Sequence, residues 1–90
     1  KLSFIIPAYN EEKYIGDCLN SIIKYGPKDA EIIVVDNAST DQTTMVASQY
    51  PRIKIVSEPD KGLTKARQKG LEVAQGELLA YIDADNRISK

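Results

Sequence analysis

Short apolar runs alternate with amphipathic stripes along the whole chain. Leu2 to Ile6 is the first run; it closes at Pro7 and reads as a buried strand. Asn10 before Glu11 and Glu12 has the form of a helix start, with an N-cap side chain and acids in the first turn. Ile15, Cys18, Leu19, Ile22 and Ile23 then recur at i, i+3, i+4, i+7 and i+8, one face of a helix that Gly26-Pro27 stops. Glu31 to Val35 predicts a second strand, with Asp36 at its end. Ser39 to Gln42 has the S-x-x-Q form of a capping box. Thr43, Val46, Ala47 and Tyr50 supply the stripe of a second helix ending before Pro51. Ile53 to Val56, interrupted by Lys54, predicts a third strand nearer an edge. Gly62 opens a third helix with Leu63, Ala66, Gly70, Leu71 and Ala74 on one side, and Gly76 at its exit. Leu78 to Ile82 is the fourth strand. It delivers Asp83-Ala84-Asp85, after which Asn86-Arg87 turns polar.

The order βαβαβαβ calls for an α/β fold: a Rossmann-like parallel sheet with right-handed crossovers and helices on both faces. Winding outward over three strands and then back gives the strand order 3-2-1-4. The switch point falls between the first and fourth strands, and ligands bind beyond the carboxyl ends there. Glu11, Asp36, Asp83 and Asp85 are thereby expected on one rim.

Composition narrows the chemistry. Ninety residues make one small domain at most, and a net charge of −1 gives no electrostatic reason to expect a nucleic acid or an anionic membrane as partner. The apolar runs are too short to cross a bilayer, and the start at Lys1 does not have the form of a signal peptide. Histidine is absent and Cys18 is the single cysteine. Ser-His-Asp, Cys-His and imidazole-metal chemistry are therefore excluded within this chain, and any metal must be held by oxygen. The chain contains neither G-x-G-x-x-G after the first strand nor G-x-x-x-x-G-K-[ST]. Phosphate would have to be met by a cation and an arginine rather than by a glycine-rich nest.

Asp83 and Asp85 are the first candidates. Residues i and i+2 of an extended segment point the same way, and two carboxylates with no cationic neighbour repel unless a cation sits between them. Mg²⁺ or Mn²⁺ bound this way is typically completed by phosphates and water. Arg67 is the second. Stepping about 100° per residue places it about 40° from Leu63, on the predicted apolar face. An arginine there needs a partner, either an ion pair to Asp83 or Asp36 or a diphosphate. Asp36 stands at a strand terminus, where its carboxylate can accept from a base N–H or a ribose hydroxyl. Tyr9 reads either as a core aromatic or, from its place on the loop after the first strand, as a ring that can lie against a base. Glu11 has a plain role at a helix N-terminus, Ser39 and Asp41 read as capping residues, and Met45 and Cys18 as packing residues.

The blocks S-F-I-I-P-A-Y-N-E-E, I-V-V-D-N-A-S-T-D, K-G-L-T-K-A-R-Q-K-G and Y-I-D-A-D stand in order over nearly the whole chain. Together they resemble the N-terminal, nucleotide-sugar-binding half of family 2 glycosyltransferases, which have the GT-A fold. The resemblance implies that Pro7, Tyr9 and Glu11 line the nucleotide site and that Asp36 contacts the base. It implies that Arg67 lies by the nucleotide and its acids, that Asp83 lies near the ribose, and that Asp85 coordinates a divalent metal, Mn²⁺ or Mg²⁺, bridging the diphosphate. Gln68 stands where the family most often has asparagine.

The resemblance implies an enzyme that moves a sugar from a nucleoside-diphosphate sugar to an acceptor hydroxyl with inversion. Residues 1–90 are expected to form a single donor-binding subdomain, cut off shortly after the D-x-D. No catalytic residue is expected within it, because the family's general base and acceptor elements lie beyond that motif. The ninety residues alone are expected to be inactive, to expose the edge of the fourth strand and to self-associate through it. The expected location is the cytoplasm, or the inner face of a membrane through other parts of a longer protein. The alternatives are a sugar-phosphate nucleotidyltransferase, which would carry a glycine- and arginine-rich loop in place of Ala8 to Glu12, and a non-catalytic nucleotide-binding module.

Overall fold

The computed structural model describes residues 1–85. The elements follow as β1 (Leu2–Ala8), α1 (Ile15–Tyr25), β2 (Glu31–Asp36), α2 (Thr43–Ser48), β3 (Ile53–Ser57), α3 (Leu63–Val73) and β4 (Leu78–Tyr81). All strand pairs are parallel, and the four-stranded sheet has the order β3-β2-β1-β4. The expected topology is therefore the observed one. The polar turn read at Asn86-Arg87 lies outside the described residues, and among those described no helix is long and apolar enough to cross a membrane.

β1 and β2 occupy the centre and are covered on both faces, which is why their sequences are almost unbroken apolar runs. The two-residue alternation of a strand divides the core into two layers. Phe4, Ile6, Ala8, Ile32 and Val34 face Ile15, Cys18, Leu19 and Ile22 of α1 and Ala47 of α2. Ile5, Ile33 and Val35 face Ala66 of α3. A fully buried aliphatic side chain contributes roughly 1.5–3 kcal/mol. α1 buries several of them, whereas α3 buries only Ala66 and Gly70. The α1 layer carries most of the stability.

α3 departs from the expectation. Leu63 and Leu71, read as core positions, are 50% and 51% exposed, and Arg67 is exposed as well. The cause is the close approach at Gly70, where a Cβ atom would run into Cγ2 of Ile5. Small residues let the helix settle on β1 along Ala66, Gly70 and Val73. Arg67 and Leu71 then lie about 90° and about 130° round from the centre of that stripe. The contact stripe follows the smallest side chains, not the largest.

β4 is also less buried than its sequence suggests. It pairs with β1 alone, in the register Leu2↔Leu78 to Ile5↔Tyr81. Leu78, Leu79 and Tyr81 are exposed, while Ala80 and Ile82 pack on the α1 layer. An edge strand with one covered face leaves its other side chains in solvent.

Candidate functional site

The carboxyl ends of β1 and β2 run into loops that interlock. Asn10 has φ 52, in the left-handed region that asparagine tolerates better than most residues. Its N–H donates to Ser39 Oγ at 3.0 Å, and its Oδ1 accepts the Thr40 N–H at 2.7 Å. The Glu11 amide donates to Thr43 Oγ1 at 2.8 Å and the Glu12 amide to Asp41 Oδ2 at 3.2 Å. Asp41 Oδ1 accepts the Thr43 N–H at 2.9 Å and caps the start of α2.

These bonds correct two expectations. Asn10 is not an N-cap, because α1 begins only at Ile15 and the polar groups of Asn10 are spent on the β2–α2 loop. Ser39 does not cap α2 either, since its hydroxyl takes the Asn10 amide and Asp41 does the capping. Glu11 is consequently outside any helix and is held at the rim by its own backbone. Its Oε2 is buried without a hydrogen-bond partner among the described residues. Burial pushes the carboxyl above its ordinary value, and the charges of Asp85, Asp41 and Asp83 push it further.

The D-x-D lies just past β4. The Ile82 amide donates to the Ile5 carbonyl at 3.0 Å, and the chain then leaves the sheet. Ala84 is 3% exposed and packed into the α1 layer, with Asp83 and Asp85 exposed on either side of it. The buried methyl turns both carboxylates outward. Beneath them the Cys18 thiol donates to the Asp83 carbonyl at 3.8 Å. Burial, then the nearby acids Asp85, Asp83 and Glu11, push that thiol up to about 12, so Cys18 is a neutral packing residue.

A cavity of about 130 Å³ opens beside these loops, lined by Pro7, Ala8, Tyr9, Asn37 and Leu63. It is close to the ~150 Å³ that accepts a benzene ring, so it fits one planar ring rather than a whole nucleotide. Asp36 stands at the cavity's edge, being the register partner of Ala8 and the neighbour of Asn37. Its Oδ1 is buried and has no hydrogen-bond partner among the described residues. Asn37, 5% exposed, donates from Nδ2 to the Glu58 and Asp60 carbonyls, both at 2.9 Å, and accepts the Gly62 N–H at 2.8 Å.

Pro7, Tyr9, Glu11, Asp36, Asp83 and Asp85 thus share one rim, as the order of the strands requires. Arg67 does not make the expected ion pair. Among the described residues the ion pairs are Lys1–Glu77 and Lys54–Glu31, and Arg67 instead lies over the Tyr81 ring at 5.4 Å. The settling of α3 on Ile5 swings the guanidinium toward β4. Sequence reasoning missed Ala8, Asn37 and Leu63 as cavity residues. The available signal for Asn37 was an amide directly after an acid at a strand terminus.

Among the described residues no three His, Cys, Asp or Glu side chains converge as a ready metal site. The rim nevertheless fits a divalent cation. Glu11, Asp41, Asp83 and Asp85 are close enough for the other three to raise Glu11, and no ion pair offsets them among the described residues. One or two such oxygens, with water and phosphate, are what Mg²⁺ or Mn²⁺ ordinarily takes from a protein.

Residues 3–90 match the family model described as Glycosyl transferase family 2. The chain belongs to glycosyltransferase family 2. It is 36% identical over 91 residues to the putative glycosyltransferase EpsH of Bacillus subtilis (strain 168), covering 97% of this chain and 26% of EpsH. Its fold is similar to that of Staphylococcus aureus TarS 1-349 in complex with UDP-GlcNAc, with TM-score 0.87 and 38% identity over 94% of this chain and 26% of that one. It is also similar to the mannosyltransferase PcManGT of Pyrobaculum calidifontis in complex with GDP-Man and Mn²⁺, with TM-score 0.84 and 34% identity over 93% and 27% of the two chains. The chain spans about a quarter of the length of these relatives.

Proposed function

We propose that this chain is the donor-binding subdomain of a metal-dependent, inverting glycosyltransferase that uses a nucleoside-diphosphate sugar. The observation that carries the reading is a ring-sized cavity on the same rim as a set of carboxylates with no cationic partner among the described residues. The base enters between Pro7, Tyr9 and Leu63, and the unpartnered Oδ1 of Asp36 accepts its N–H. Uracil and guanine both offer that N–H, in keeping with the UDP-GlcNAc and GDP-Man held by the structural relatives. Asp83 takes the ribose side and Asp85 the metal, with Glu11 adding negative charge behind them. Arg67, exposed on α3, is free to turn from Tyr81 toward the nucleotide.

The bound cation would neutralise the charge that develops on the departing nucleoside diphosphate. The residues of this chain hold the base, orient the ribose and present carboxylates. Nothing among them serves as general base for the acceptor hydroxyl, which we assign to another part of a longer protein. The relatives' lengths support that assignment, since this chain spans about a quarter of each.

Calorimetric titration with UDP and GDP, with and without Mn²⁺, tests the reading. Binding that needs Mn²⁺ and weakens at least about tenfold in Asp85→Ala is the expected result. Binding indifferent to Mn²⁺, or no binding of either nucleotide, overturns it.

A further inference from the structure

The donor reading leaves Lys61 and Asn37 without a task. Asn37 spends its amide on one segment, the loop between β3 and α3. Its Nδ2 holds the carbonyls of Glu58 and Asp60, and its Oδ1 holds the Gly62 N–H. Gly62 has φ 144, a conformation that side-chain-bearing residues rarely adopt, so the loop's course is set at both ends of Lys61. Lys61 then has its Nζ 4.1 Å from the centroid of the Tyr9 ring, well inside cation–π range. Lys61 does not line the cavity that Tyr9 lines. The ammonium lies over one face of the ring and does not cover the other.

Building on the donor reading, we infer that Lys61 is a nucleotide-binding residue acting across Tyr9, and that Asn37 is the positioning residue that puts it there. An ammonium, a phenol ring and a base form a three-layer stack. The ammonium fixes the ring's orientation before the base arrives, and it brings a positive charge to a rim otherwise dominated by acids, where an anionic diphosphate must dock. The choice of asparagine follows from the bonding. Aspartate has the same shape but no N–H, and would set a carboxylate against two carbonyl oxygens. The β3–α3 loop would be released and Lys61 with it.

A double-mutant cycle in the whole protein tests this, reading the Kd for UDP and GDP with Mn²⁺ present. K61M is expected to weaken binding about two- to tenfold, and K61R to stay within about twofold of the unsubstituted protein. N37D is expected to lose at least as much as K61M, and K61M added to N37D to cost nothing more. Hydrogen exchange without ligand is expected to show the Gly62 amide faster in N37D and unchanged in K61M. If K61M binds as well as the unsubstituted protein, or if the two losses multiply in the double variant, the inference fails while the donor reading stands. A purely structural Asn37 would lower stability and still give multiplying losses. If the unsubstituted protein binds neither nucleotide, the donor reading and the inference fail together.

Discussion

The hydroxyl of Thr43 joins two loops that lie 32 positions apart in the chain: its Oγ1 accepts the Glu11 N–H at 2.8 Å. The same hydroxyl donates to Asp41 Oδ1, which in turn caps α2 and, through Asp41 Oδ2, takes the Glu12 amide. One fully buried side chain therefore sets where Glu11 stands relative to the D-x-D. Thr43→Val keeps the shape and removes the oxygen, leaving the Glu11 N–H without its partner. A loss of about 1–3 kcal/mol in urea denaturation is expected, whereas Thr43→Ser should stay within about 1 kcal/mol. Equal stability of the valine and threonine proteins would show that water replaces the bond.

Glu11 itself should behave as a group held against its own charge. Its carboxyl is raised by burial and by Asp85, Asp41 and Asp83, so the folded state holds the proton more tightly than the unfolded chain does. Below the unfolded value there is no penalty, and the penalty develops as pH rises through the folded value. Glu11→Gln is therefore expected to raise the melting temperature of the metal-free protein at pH 7 by about 2–4 °C, with no gain at pH 4. Mn²⁺ should stabilise the unsubstituted protein more than the glutamine variant. Scanning calorimetry at both pH values, with and without the ion, reads both effects.

The topology was legible because β1, β2 and α1 bury large aliphatic side chains in patterns that sequence spacing reveals. The rim followed from it: Pro7, Tyr9, Asp36, Asp83 and Asp85 come together once β1 lies between β2 and β4. What escaped was set by contacts between elements. The rotation of α3 is fixed by the Gly70–Ile5 approach, and the late start of α1 by bonds from Asn10 and Glu11 to Ser39 and Thr43. The part Asn37 plays has no local signature, because its partners, Glu58 to Gly62, are more than twenty positions away. The edge position of β4 was expected, but its apolar run did not reveal that Leu78, Leu79 and Tyr81 would stay in solvent.

Gly70 should not accept even a methyl group. A Cβ there would collide with Cγ2 of Ile5, a branched core side chain with no room to swing away. Alanine ordinarily stabilises a helix interior by up to ~1 kcal/mol over glycine, so propensity and packing pull in opposite directions here. Overpacking costs about 1–3 kcal/mol and should win. Gly70→Ala is expected to destabilise the protein by about 1–2 kcal/mol in urea, with α3 losing hydrogen-exchange protection before α1 does. A more stable alanine variant would mean that α3 can lift off β1 without cost.

At the opposite end of the sheet Glu31 should govern acid stability. Burial pushes its carboxyl up, but the Gln75 N–H, Lys54 and Ser3 outweigh that, and the carboxyl is held down at about 2. The bonds are short: Ser3 Oγ and Lys54 Nζ each donate at 2.7 Å and Gln75 N at 2.8 Å. Ser3 Oγ also accepts the Gly76 N–H at 2.9 Å, so the network ties β1, β2 and β3 to the turn before β4. A carboxylate depressed in the fold contributes stability above its unfolded value, near 4.5, and loses it as pH falls toward about 2. With Lys54 partly in solvent, the contribution at neutral pH is about 1–3 kcal/mol. Glu31→Gln should therefore lower stability at pH 7 by about that amount and remove much of the slope between pH 4.5 and about 2. The two proteins should converge at the acid end of that window. Parallel stability curves across it would show that Glu31 is not the titrating group.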